Sequence, residues 1–263
     1  MDYCGAIIYP EFFPELVLDN IFSHLELPDL LSCMLVCRNW NQAINGDSTE
    51  PWKSMCRFQT SDKFLNSEHL SSMSSYKDKL RAILNSWNPK DCSPNIAVEN
   101  YGFTFLRNLV ADSTDMVRTK TGYNTGKHIW EITWNQPLGT VAMVGVSTKE
   151  APLQCSGYKH LLGFNKHSWG WDLVGNYLVH NEISYGAYPL LRNAPEYKFG
   201  EKLLLVLDCE NGTLHFEKCN TFLGIAFTQL PDTKLYPTVS VVYGNSNVSV
   251  LYIGNKGFTS RKT

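Results

Sequence analysis

The chain has 263 residues, enough for one large or two ordinary domains. Its hydrophobic content of 43% supports a real core, and a formal net charge of -2 without a long run of either sign argues against a nucleic-acid partner. No apolar run approaches the roughly 20 residues that cross a bilayer, so no membrane insertion is expected. The first residues, MDYCGAIIYPEFFPE, carry acids where a signal peptide would carry a basic region, so no such signal is expected.

Phe13 to Phe58 is the first strongly patterned stretch. Pro14 suits a helix start, because a first turn has no partner for its missing N–H. Leu18, Ile21, Phe22 and Leu25 follow at i, i+3, i+4, i+7 and predict one apolar stripe. Pro28-Asp29 breaks this helix and caps a second, with Leu30, Cys33, Met34 and Cys37 on its face. Trp40, Ala43 and Ile44 mark a third, ended by Asn45-Gly46. Ser48-Thr49-Glu50-Pro51 opens a fourth carrying Trp52, Met55 and Cys56. A helical unit this small buries only about 60% of its unfolded surface and needs something to lean on.

These residues resemble an F-box. The likeness rests on Phe13-Pro14, Ile21-Phe22, Leu25, Asp29-Leu30-Leu31, Val36-Cys37-Arg38-Asn39-Trp40 and Trp52. Phe13-Pro14 stands where the family has Leu-Pro. The resemblance implies docking to the Skp adaptor of ubiquitin ligases through Phe13, Pro14, Leu18, Ile21, Phe22, Leu25, Leu30 and Leu31.

Gln59 to Ser75 is polar and serine-rich and reads as a linker. Ser75 and Asp78 suit a capping box. Tyr76, Leu80, Ile83, Leu84 and Trp87 share one helical face, and Asn88-Pro89 stops that helix. It is expected to bridge two domains, at 10–58 and 70–256, as the leading helix of the second over about 75–87.

From Cys92 the periodicity changes. Trp130, Ile132 and Trp134 alternate with Glu131 and Thr133, which predicts a half-buried strand. Val141–Val146, Lys202–Asp208, Thr213–Glu217, Phe222–Phe227, Leu235–Val242 and Val248–Tyr252 read as further strands. Asn211-Gly212 predicts a tight hairpin with both residues at positive φ. The fold class is therefore multidomain α+β, a small all-α domain followed by an antiparallel β-sandwich.

The second domain resembles SPRY domains. The matching stretches are Gly126–Glu131, Val144-Gly-Val146, Ser168-Trp-Gly-Trp171, Leu207-Asp208 with Gly212–Phe216, and Leu235-Tyr-Pro237. The whole is similar to the F-box/SPRY family of synaptic proteins. That family implies a substrate-recognition adaptor of a ubiquitin ligase, cytoplasmic and synaptic. Its implied partners are a Skp-type adaptor, a large RING-type ligase of the Highwire kind, a cullin in some members, and a protein substrate such as a kinase.

Loops on a rigid scaffold commonly carry binding, and Tyr and Trp lead interface hot spots. Three loops are rich in such groups: Thr121–Gly126, Tyr158–Trp171 and Tyr185–Tyr188. Tyr123, Asn124, Asn165, His167, Trp169, Tyr185 and Tyr188 are the expected substrate contacts. Of Trp169 and Trp171, each has even claim to the core. A cytosolic lectin-like sandwich is the alternative, although it would not need the helical block.

Catalytic chemistry finds little support. His160, His167 and His180 share a stretch with Asp172 but match no motif. The eight cysteines, Cys4, Cys33, Cys37, Cys56, Cys92, Cys155, Cys209 and Cys219, form no C-x-x-C and no zinc frame. They read as reduced thiols, several of them in core positions. No nucleophile elbow or Walker pattern appears, so no enzyme activity, metal or cofactor is expected. The Asn211 and Asn247 sequons are read as chance matches, and the basic end, 256–263, as a frayed tail.

Overall fold

The computed structural model describes residues 13–46, 49–189 and 196–254. Cys4, Ser48, the start of the first expected domain and the end of the second, with the basic tail, lie outside the described residues. Chain contacts divide the protein between Ile83 and Leu84.

The first unit is helical. It contains α1 (Glu15–Phe22), α2 (Leu27–Cys33), α3 (Arg38–Asn45), α4 (Glu50–Gln59), α5 (Asp62–Leu65) and α6 (Tyr76–Leu84). Pro14 stands at the N-cap of α1. The break after α1 falls at Ser23–Glu26, and Pro28 sits inside the first turn of α2, where a missing N–H costs nothing. Leu18 and Phe22 point inward, and Phe22 meets Trp40 edge-on with ring centres 5.3 Å apart. The Trp52 indole donates to the Ile44 carbonyl at 2.7 Å, which ties α4 to the end of α3.

The Ser75 hydroxyl accepts the Asp78 N–H at 3.0 Å, capping α6 as the sequence suggests. Lys79 donates to the Leu65 carbonyl at 2.7 Å and the Cys56 thiol to the Tyr76 carbonyl at 3.3 Å, so most of α6 belongs to the helical unit. The helix stops at Leu84, short of Trp87. Trp87 begins a strand and is fully buried in the sandwich, its indole donating to the Val248 carbonyl at 3.2 Å.

The second unit is an antiparallel β-sandwich. Its strands are β1 (Trp87–Cys92), β2 (Ile96–Glu99), β3 (Thr104–Arg107), β4 (Ser113–Thr119), β5 (Lys127–Trp134), β6 (Ala142–Ser147), β7 (Gln154–Ser156) and β8 (Ser168–Asp172). They continue with β9 (Tyr177–His180), β10 (Ile183–Ala187), β11 (Lys202–Asp208), β12 (Thr213–Lys218), β13 (Thr221–Phe227), β14 (Tyr236–Val241) and β15 (Asn247–Gly254). One sheet runs β1-β4-β14-β6-β8-β9-β10, with β7 paired to β4. The other runs β13-β12-β11-β5-β15-β3-β2.

Alternation explains the core. Trp130, Ile132 and Trp134 of β5 meet Leu203, Leu205 and Leu207 of β11 on the inner face, against Val144, Val146, Val239 and Val241 of the opposite sheet. Trp169 and Trp171 are both buried, because residues two apart on a strand share a face. The β11–β12 hairpin forms, but its pairing closes at Asp208 and Thr213, leaving a four-residue loop. Only Gly212 of the Asn-Gly pair has positive φ, at 58°. Asp208 instead accepts the Asn211 N–H at 3.0 Å and its side-chain amide at 2.9 Å, so a side chain organises the loop.

Candidate functional site

The helical unit displays aliphatic side chains that it does not use. Leu16, Val17 and Ile21 of α1, Leu31 of α2, and Leu35 and Val36 in the following turn are all exposed, Leu35 and Leu16 by more than four fifths. Side chains one residue apart on a helix differ by about 100° in direction, so the Leu18–Phe22 row and the Val17–Ile21 row of α1 face different ways. The first row makes the core and the second faces solvent.

This corrects part of the expected docking set. Leu18, Phe22 and Leu30 are at most 1% exposed and offer a partner no surface. Ile21, Leu31 and Pro14 are exposed, and Phe13 and Leu25 half-buried. The i, i+3, i+4 pattern finds an apolar helix but not which half of a broad stripe turns inward. Cys37 caps α3, its sulfur accepting the Trp40 N–H at 3.5 Å, and Asn41 donates to the Met34 carbonyl at 2.9 Å. These bonds fix the turn that presents Leu35 and Val36.

The sandwich carries a groove of about 520 Å³ at one end of its strands. Its lining comes from four connections: Leu109, Val110 and Ala111 after β3, Gly139 and Thr140 before β6, Tyr158 after β7, and Val242, Tyr243 and Gly244 after β14. Leu109, Val110, Tyr158 and Tyr243 are exposed while Val242 is buried beneath them. Two glycines let the walls close. A Cβ on Gly139, whose φ is +78°, would lie 2.6 Å from the Tyr243 Cβ, and one on Gly244 would lie 2.5 Å from a Leu109 methyl.

A buried charge network holds the 108–112 loop. Arg107 and Asp115 are sealed from solvent and paired at 2.7 Å. The guanidinium also donates to the carbonyls of Asn108 at 3.2 Å, Val110 at 2.8 Å and Ser113 at 2.9 Å. Asp115 accepts from the hydroxyls of Ser93 at 2.6 Å and Ser113 at 3.1 Å and from Asn95 at 3.0 Å. The Tyr158 hydroxyl accepts the Asp112 N–H at 3.2 Å, joining the wall after β7 to this loop. The groove is thus preformed, which lowers the ordering cost of binding.

The expected substrate residues lie elsewhere. Tyr123 is half-buried, stacked on His128 at 3.5 Å between ring centres, and its hydroxyl donates to Asn85 at 2.9 Å. Asn124 beside it is exposed. His167 and Trp169 line a different groove, and Asn165 accepts the His167 N–H at 2.9 Å. Trp169 stacks face to face on His180 at 4.6 Å, with exposed Tyr185 on the far side at 6.2 Å from His180. Tyr188 is a correction: it is wholly buried, packed on Trp171, its hydroxyl donating to the Gly224 carbonyl at 2.8 Å. Burial pushes that phenol well above its ordinary range. Of the Tyr158–Trp171 stretch, Tyr158 lines the first groove and Lys166, His167 and Trp169 the other.

Among the described residues no cluster of histidine, cysteine and carboxylate suits a metal ion. His160 does approach Asp172, at 3.3 Å, and accepts or donates to the Tyr177 hydroxyl at 2.7 Å. The described cysteines are free thiols. Burial pushes Cys56 up to about 12 and Cys209 up to about 11, away from the thiolate a nucleophile needs.

Comparison with known proteins bears on both units. An F-box-like domain matches residues 13–57 and a SPRY domain residues 127–254. An F-box/SPRY domain-containing protein 1 from Drosophila ananassae is 53% identical over 238 residues, 90% of this chain and 93% of the relative. The chain belongs to the F-box/SPRY domain-containing protein family. The member from Aedes aegypti is 50% identical over 94% of this chain and 95% of its own length. The SPRY fold is seen again in the TRIM65 PSpry domain, with a TM-score of 0.51, 16% identity, and coverage of 63% of this chain and 88% of that one. The pairing of an F-box-like unit with a SPRY unit supports, in general terms, a substrate adaptor of ubiquitin ligases. No described helix is long and apolar enough to cross a membrane.

Proposed function

We propose that this F-box/SPRY protein docks a Skp-type adaptor on the exposed aliphatic face of its helical unit and holds an extended segment of a protein substrate in the Leu109–Tyr158–Tyr243 groove. The observation that carries the proposal is the division of labour in α1, where Leu18 and Phe22 build the core while Leu16, Val17 and Ile21 are left to solvent. Pro14, Leu31, Leu35 and Val36 extend that face, with Phe13 and Leu25 at half-buried positions. Exposed apolar surface of this extent is a feature of interaction sites.

The chain itself supplies binding and not chemistry. Held on one adaptor, a substrate lysine meets the charged ubiquitin enzyme at high effective concentration. Family resemblance extends the proposal to a large RING-type ligase of the Highwire kind, with a cullin as a further possible scaffold. It also extends it to a cytoplasmic, synaptic setting in which turnover of a kinase restrains synaptic growth.

Capture from neuronal lysate tests the two surfaces together. Ile21→Asp with Leu35→Asp should lose the Skp-type adaptor and ligase components while retaining substrates. Tyr158→Ala with Tyr243→Ala should do the reverse. Loss of the same proteins by both variants contradicts the assignment.

A further inference from the structure

A second groove, of about 470 Å³, lies at the opposite end of the same strands. Tyr236 opens β14 and lines this groove, while Val242 and Tyr243, just past its other end, line the first. At about 3.3 Å per residue the two stand roughly 20 Å apart. The second groove therefore makes its own contacts.

Its chemistry is different. Lys149, Lys166 and Lys234 reach it from three separate loops, with His167 beside them. Trp169 and Tyr236 form an aromatic floor. Among the described lining residues the one carboxylate is Glu150, which takes a hydrogen bond from Thr148 and faces His167 and Arg118. Asp91, just outside, pairs with both Arg118 and Lys149, and Lys149 also lies 4.2 Å above the Tyr236 ring. Asp232 is next to Pro231 and Thr233 of the rim. Lys166 and Lys234 are exposed and have no ion pair among the described residues. This excess is local, since the chain as a whole carries -2.

The site is also held in shape. The Thr148 N–H donates to the His167 carbonyl at 2.9 Å, tying the loop that bears Lys149 to the loop that bears Lys166. Leu235 exchanges backbone bonds with Tyr123, at 2.9 Å each way, which anchors the strand behind Lys234. Trp169 is fixed from below by its stack on His180. Ammonium groups gathered on tethered loops repel one another until an anion sits among them.

We propose that this groove binds a phosphorylated side chain of a polypeptide, with Lys149, Lys166, Lys234 and His167 around the phosphate and the neighbouring peptide over the edges of Trp169 and Tyr236. A phosphomonoester brings a charge of about -1.5 to -2 and three acceptor oxygens, which matches several ammonium donors better than one carboxylate. Lysines act here as point charges, so binding depends strongly on salt. A substrate bound in the first groove could be retained more firmly once phosphorylated near a residue that reaches the second.

The test uses the full chain and a degenerate peptide library centred on phosphoserine, with matched serine and glutamate libraries and a single-stranded oligonucleotide. The phosphoserine library should be retained about tenfold more than the others at low salt. Lys166→Glu with Lys234→Glu should abolish that difference. The same charge change made at exposed Lys63 and Lys202 should not, and thermal melts should show all variants folded. Equal retention of the serine or glutamate library, equal retention of the oligonucleotide, or full retention by the Lys166/Lys234 variant overturns the proposal.

Discussion

Arg107 and Asp115 face each other at 2.7 Å with neither side chain open to solvent, and the same guanidinium donates to the carbonyls of Asn108, Val110 and Ser113. A buried ion pair of this kind adds little net stability over an apolar pair, but breaking it leaves a charge stranded. Arg107→Ala should therefore destabilise the sandwich by about 3–5 kcal/mol in urea titrations. Arg107→Met with Asp115→Leu should cost clearly less than the two single changes added together. Simple additivity would mean that the pair does not act as a unit.

The two rows of α1 make opposite predictions. Phe22→Ala removes a buried ring that meets Trp40 and should cost about 3–5 kcal/mol. Ile21→Asp alters an exposed position and should stay within about 0.5 kcal/mol. Thermal melts of the two variants check both. A large loss from Ile21→Asp would mean that this side chain is covered within the chain.

Two glycines distinguish closure of the groove from integrity of the sheet. A Cβ at Gly145 would meet the Trp169 carbonyl oxygen at 1.9 Å, backbone that cannot move aside. Gly145→Ala should cost at least about 1–3 kcal/mol, as overpacking does. A Cβ at Gly244 meets instead the tip of Leu109, a flexible side chain. Gly244→Ala should leave the melting temperature nearly unchanged and weaken substrate capture. Equal thermal losses from both would contradict the distinction.

Asp19 gives the helical unit a pH signature. Burial first, then the nearby Glu15 and Glu50, hold its carboxyl above the usual range, and one of its oxygens is buried without a hydrogen-bond partner among the described residues. A raised folded value means that the protonated form is favoured in the fold. The stability associated with protonated Asp19 is present at low pH and lost as pH rises through the folded value. At neutral pH Asp19→Asn should raise the melting temperature of the helical unit. That advantage should shrink as the solution is acidified toward the Asp19 titration. An advantage that grows on acidification would reverse the sign.

Much of the fold was legible because its signals are local. Lys202–Asp208 is bounded in the sequence as it is in β11, and the helix breaks around Pro28 and Gly46 mark real ends. Among the strands that the periodicity does not show, β4 illustrates one cause, polar groups neutralised by distant partners. β4 is buried along its whole length although it carries Asp115 and Arg118, because Arg107 and Asp91 neutralise them. β1 begins with Trp87 at the end of a helical periodicity, which extended the expected helix by three residues past Leu84. The first groove was hidden for the same reason. Leu109, Tyr158 and Tyr243 share a wall only through strand pairing, and aromatic density along the chain pointed instead to Trp169 and Tyr188.

The docking face is tested most directly by the affinity of the full chain for a purified Skp-type adaptor, measured by calorimetry for the native sequence and for Ile21→Asp with Leu35→Asp. The native chain should bind and the folded double variant should lose about a hundredfold or more, as expected when two central apolar contacts become charged. Unchanged affinity in a variant that melts like the native protein would contradict the docking face.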